Sequence, residues 1–124
     1  MPIEKNRPFL VRFGFALNGI WMALRSEASL RTQAAAFVLV IVALFVLHPA
    51  PVWWALVLFG SCAVLAAELF NSAIERLADH VQPQLHADIR FVKDCAAAGV
   101  LLMVLGALAI AAALVIERYH LLNL

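Results

Sequence analysis

Charge is scarce in this sequence. Only 14% of its 124 residues are charged while 65% are apolar, and the mean hydropathy is +0.95. A water-soluble domain is about one quarter charged and about half apolar. Small domains hide a smaller share of their surface than large ones, so a single globule of this length could not bury so much apolar surface. Lipid must be part of the solvent. A net charge of +1 supplies no basic stripe and no case for a nucleic-acid partner. Cysteine is nearly missing: Cys62 and Cys95 stand in apolar stretches without a CxxC pattern and read as small buried hydrophobes. The five glycines are scattered. None forms a GxxxxGK[ST] loop or a glycine-rich kinase loop, so those two phosphate cradles are excluded. No cleavable signal peptide is expected, because the chain up to Arg12 is polar and interrupted by Pro2 and Pro8.

What is present is a set of long uncharged runs. Between Arg31 and Glu68 lie 36 residues without an acid or base, too many for one crossing, which takes about 20. His48-Pro49-Ala50-Pro51 breaks the run with a turn, and Trp53-Trp54 follow where an aromatic belt would anchor a second helix. Cys95 to Ile116 is a further uncharged run of 22 residues. The expectation is an all-α membrane protein of one domain, residues 1–124, with crossings at about 28–48, 52–80 and 93–117.

Lys5, Arg7, Arg12, Arg25 and Arg31 precede the first crossing, and Arg76, Arg90 and Lys93 lie between the second and third. The 48–52 turn has no Lys or Arg, and Arg118 alone follows the third. The positive-inside rule then expects the N-terminus and the 76–94 loop in the cytoplasm, with the C-terminus outward, in a bacterial inner membrane. Ahead of the crossings, Leu10, Phe13, Leu17, Ile20 and Leu24 recur at helical steps. Their apolar stripe predicts an amphipathic helix over about 9–25, lying in the interface; the alternative is a helix that covers the bundle.

The informative polar residues are on the second crossing. At about 100° per residue from Glu68, Asn71 falls near −60°, Glu75 near −20°, Asp79 near +20° and Ser72 near +40°. One helix face thus carries an acidic stripe that begins at membrane depth and emerges from it. Carboxylates so placed repel one another unless cations or protons neutralise them, and ionisable groups inside a membrane usually mark a site or a path. Mg²⁺ takes hard oxygen ligands, often carboxylates together with substrate phosphates. Lys93 and Asp94 open the third crossing at the same level, with Lys93 placed to hold phosphate, and Glu27 marks the junction before the first. Five acids and a lysine around one pocket with an apolar approach suit phosphoryl transfer to a lipid hydroxyl. A proton- or cation-coupled transporter would also place acids on one intramembrane face, and these residues alone leave that alternative open.

Glu68-Leu69-Phe70-Asn71-Ser72-Ala73-Ile74-Glu75, followed by Asp79, resembles the E-x-x-N-[ST]-A-[IL]-E-x-x-x-D pattern of the prokaryotic diacylglycerol kinase and undecaprenol kinase family. Glu27-Ala28-Ser29-Leu30-Arg31, His86 and Lys93-Asp94 match further family positions in order, so the likeness runs from about Arg12 to Tyr119. The resemblance implies a homotrimer with sites shared between subunits, Mg-ATP as phosphoryl donor and a membrane lipid alcohol as acceptor. Diacylglycerol is the expected acceptor, with undecaprenol as the alternative. It also implies Glu68 as general base, in contact with the lipid, and Glu27 and Glu75 as Mg²⁺ ligands. Phe15, Asn71, Asp79, Gln84, His86, Lys93 and Asp94 would line the nucleotide, and Ser29 and Arg31 the lipid headgroup. Departures from the family's habit are Phe15 for a tyrosine, Gln33 and Gln84 for acids, Asn18 for a lysine, and Ala78 for a bulkier apolar residue. Arg76 and His80 are expected on a solvated helix face, and Gly99 and Gly106 where helices pack closely.

Overall fold

The computed structural model describes residues 6–124. Four helices follow in order: α1 (Phe9–Ser26), α2 (Ala28–Leu47), α3 (Pro51–Val81) and α4 (Ala87–Leu122). The last three are each long and apolar enough to cross a membrane. Pro8 and Pro51 stand at the N-terminal ends of α1 and α3, where a missing backbone N–H costs nothing. His48 ends α2 in the left-handed region with φ 45°, and Pro49 then prevents the helix from resuming. Glu27 is at once the C-cap of α1 and the N-cap of α2, in extended conformation, so the chain corners sharply between the two helices.

Helix α3 packs along α4, α2 leans on α3, and α1 touches only α2 and α3. Gly60 sets the α3–α4 spacing: a Cβ there would lie 3.2 Å from Ile110 Cδ1 and 3.7 Å from the Ala107 Cα. Gly99 and Gly106, expected at close helix contacts, have nothing within 4 Å of where a Cβ would stand; they are on the outer face of α4 in this chain. The cysteines also differ from expectation. Both Cys62 and Cys95 are exposed, because α3 and α4 present most of their circumference outward rather than to a closed core. The buried apolar core is small: Leu30, Leu44, Val64, Ala78 and Leu114. Phe59, Phe70, Leu102, Val115 and many other large apolar residues are exposed, the arrangement of a chain whose surroundings are hydrocarbon.

No residue of α1 is buried. Leu10, Phe13 and Leu17 of its apolar stripe are exposed, while Ile20 borders a groove against α3. At about 1.5 Å per residue, the 31 residues of α3 extend roughly 46 Å, longer than a hydrocarbon core of about 30 Å. Its last turns therefore project beyond the apolar layer at the α1 end of the bundle. Helix α4 begins at Ala87, ahead of the expected 93, because His86 caps it.

Candidate active site

The stripe on α3 meets a different neighbour at each turn. Among the described residues Glu68 is the one charged side chain that is buried, with 5% exposed. Ser29 of α2 donates its hydroxyl to Glu68 Oε2 at 3.1 Å. A carboxylate taken out of water at this depth is costly, and a single hydroxyl donor offsets part of that cost. One turn on, Asn71 Nδ2 donates to Glu75 Oε1 at 3.3 Å. That bond fixes the amide, and Asn71 Oδ1 is left buried with no hydrogen-bond partner among the described residues. Buried polar atoms are rarely left so, and the available oxygen beside a carboxylate is a hard-ligand pair. A further turn on, Lys93 of α4 binds Asp79 as an ion pair, tying the projecting end of α3 to the start of α4.

Glu27 sits where α1, α2 and α3 converge. Arg76 of α3 reaches it, with Nη2 3.3 Å from Glu27 Oε1 and 3.1 Å from Ser26 Oγ. Ser26 Oγ also donates to Glu27 Oε1 at 3.2 Å. The expected solvated Arg76 is thus exposed yet paired. It lies about 40° around the helix from the edge of the stripe yet directly follows Glu75 in sequence, and a basic side chain among the acids was the signal that could have marked it. Glu27, Ser72 and Arg76 line one end of a groove between α1 and α3, about 480 Å³ in volume, whose other walls are Ala16, Gly19 and Ile20.

The structure does not bring every expected residue together. Arg31 Nη1 donates to the Leu24 and Arg25 carbonyls at 3.1 and 3.2 Å, so it caps the end of α1 rather than joining Glu68. His86 accepts the Asp88 backbone N–H at 3.2 Å, which starts α4. Asp94 is exposed and lies 3.8 Å from Arg90, Gln84 is exposed in the bend between α3 and α4, and Phe15 is exposed beneath the Arg7 guanidinium at 5.5 Å. Among the described residues no three His, Cys, Asp or Glu side chains gather closely enough to hold a metal ion within one chain.

Taken as chemistry, the α1 end of the bundle offers a buried carboxylate with a hydroxyl neighbour at the edge of the apolar layer. Beyond it stand carboxylates, an amide oxygen and a lysine at the level of polar headgroups. A proton acceptor that meets a lipid hydroxyl on one side and a phosphate-neutralising set on the other is what phosphoryl transfer to a lipid requires. A family model described as prokaryotic diacylglycerol kinase matches residues 14–115. A diacylglycerol kinase of Synechocystis sp. is 31% identical over 121 residues, an alignment covering 93% of this chain and 69% of that protein.

Proposed function

The chain belongs to the prokaryotic diacylglycerol kinase family, and from that premise we propose that it phosphorylates diacylglycerol to phosphatidate. Membership makes it a multi-pass membrane lipid kinase with ATP as co-substrate. The observation that carries the reading is Glu68, a buried carboxylate with one hydroxyl donor, one turn from Asn71 and two from Glu75. In the proposed reaction Glu68 takes the proton from the lipid hydroxyl, the hydroxyl oxygen attacks the γ-phosphorus, and the bond to the β-phosphate oxygen breaks to release ADP. Ser29 orients Glu68, and Lys93 neutralises phosphate charge. Labelled ATP offered with diacylglycerol, monoacylglycerol, ceramide or undecaprenol tests the reading. Label is expected in phosphatidate; transfer to undecaprenol alone would reassign the substrate, and transfer to no lipid would overturn the reading.

Mg²⁺ suits the donor set. The Glu75 carboxylate held by Asn71, and the unpartnered Asn71 oxygen beside it, are hard oxygen donors of the kind the ion takes. Glu27 completes the proposed set, and Asn71, Asp79, His86, Lys93 and Asp94 would line the nucleotide, with Phe15 and Gln84 at its edge. When bound, the ion neutralises the phosphate oxygens during transfer.

We place the working form as a homotrimer in the bacterial inner membrane, with the N-terminus and the 76–94 loop cytoplasmic. The distribution of Lys and Arg supports the orientation. Support for shared sites comes from Glu27, which within one chain faces Arg76 rather than Glu75; a neighbour's Glu27 would supply the missing ligand. Mixing Glu68→Gln with Glu75→Gln subunits, each inactive alone, is expected to restore part of the activity. Mixed oligomers without any recovery would count against sharing.

A further inference from the structure

A second concave surface lies on the opposite side of the Ser29–Glu68 pair from the nucleotide-level acids. It is a groove of about 290 Å³ between α2 and α4, floored by α3. Its walls are apolar apart from Gln33 and Ser61. Gln33 is one turn along α2 from Ser29, and Val64 is one turn along α3 from Glu68, so the groove opens directly beneath the buried carboxylate. Ala36 and Ala43 line it on α2 and Ala107 and Ala111 on α4, while the buried Leu44, Val64 and Leu114 close its depth. The four alanines leave open space beside the larger Val40, Leu108 and Val115 that also line the groove.

We propose that this groove receives one hydrocarbon chain of the lipid alcohol whose hydroxyl lies at Glu68, and so sets the enzyme's chain-length preference. The inference rests on the lipid-kinase reading and deepens it. Continuity with the Ser29–Glu68 pair argues for substrate rather than another occupant: a chain attached to a hydroxyl at Glu68 enters the groove at Gln33 without leaving the apolar layer. From Gln33 to Leu47 the α2 wall runs about 21 Å at 1.5 Å per residue, longer than one leaflet of a bilayer whose core is about 30 Å. The volume of about 290 Å³ falls just below the range of about 300–1,000 Å³ typical of ligand pockets, so it suits one chain rather than both. The second chain of a diacylglycerol would stay in the surrounding lipid.

Filling the groove with Ala111→Phe should therefore penalise long chains and spare short ones. With dioctanoylglycerol and dioleoylglycerol as probes, the ratio of long-chain to short-chain kcat/KM should fall about tenfold, the loss expected when roughly two methylene groups are no longer buried. Ala113→Phe, on the far side of α4 and outside the groove, should leave the ratio as in the wild type. If Ala111→Phe lowers both substrates alike while its oligomer disperses, the groove is a contact between copies and the proposal is wrong. The unmodified protein gives an independent reading with a diacylglycerol carrying a diazirine near the end of one chain. Crosslinks at Val40, Ala43 or Ala107 support the groove, and crosslinks confined to α1 or to Leu101 and Leu105 on the outer face of α4 overturn it. Absence of phosphate transfer to either glycerol by the wild type would instead sink the kinase reading itself, and the crosslink positions would still report where the chain lies.

Discussion

Glu68→Gln is expected to lower turnover by about two to four orders of magnitude, the usual range for loss of a general base. Gln keeps the size and planar shape of the side chain, and Ser29 can donate to the amide oxygen as it does to the carboxylate at 3.1 Å. The packing around a residue that is only 5% exposed should survive, and removing a buried charge should not destabilise the fold. What disappears is the capacity to accept the lipid hydroxyl proton. The check is a steady-state rate at saturating Mg-ATP and lipid, with thermal unfolding followed alongside. A variant that keeps more than about a tenth of the wild-type rate is incompatible with Glu68 as the base.

Glu75→Gln should fail in another way. Glu75 is less buried than Glu68, accepts from Asn71 and stands beside the unpartnered Asn71 oxygen. Replacing its carboxylate removes a charged oxygen donor, so the Mg²⁺ concentration needed for half-maximal rate should rise at least about tenfold, as even outer-shell losses around a metal commonly cost that much. Glu27→Gln should move the same quantity in the same direction. It also releases Arg76 from its 3.3 Å ion pair, and an exposed pair of that kind contributes little stability. A rate lost without any change in Mg²⁺ dependence would remove both residues from the metal site. Titration of activity against Mg²⁺ at fixed ATP distinguishes the two results.

Much of the architecture was legible because it follows from composition and periodicity. Uncharged runs, the Pro49–Pro51 break and the apolar stripe of α1 specify three long apolar helices and one amphipathic helix ahead of them with little help from tertiary contact. The acidic stripe was equally legible, since helical periodicity alone puts Glu68, Asn71, Glu75 and Asp79 on one face. Pairings across helices were not. Arg76 reaches Glu27, and Arg31 turns back to the end of α1, because the sharp corner at Glu27 sets which ends of α1, α2 and α3 meet. Gly60, rather than Gly99 or Gly106, marks the close approach of α3 and α4; the spacing of small residues does not reveal which side of α4 meets α3. Cys62 and Cys95 are exposed for a related reason, since apolar residues in lipid need not be inside.

The central claim is a division of labour along α3, with Glu68 handling the proton and Glu75, joined by Glu27, holding the metal. Direct binding of Mg-ATP to the Glu68→Gln and Glu75→Gln proteins tests it without reliance on turnover. Glu68→Gln is predicted to bind Mg-ATP as the wild type does, while Glu75→Gln binds it at least about tenfold more weakly. If Glu68→Gln binds as poorly as Glu75→Gln, the acids act as one electrostatic cluster, Glu68 belongs to the metal site, and the base assignment is contradicted.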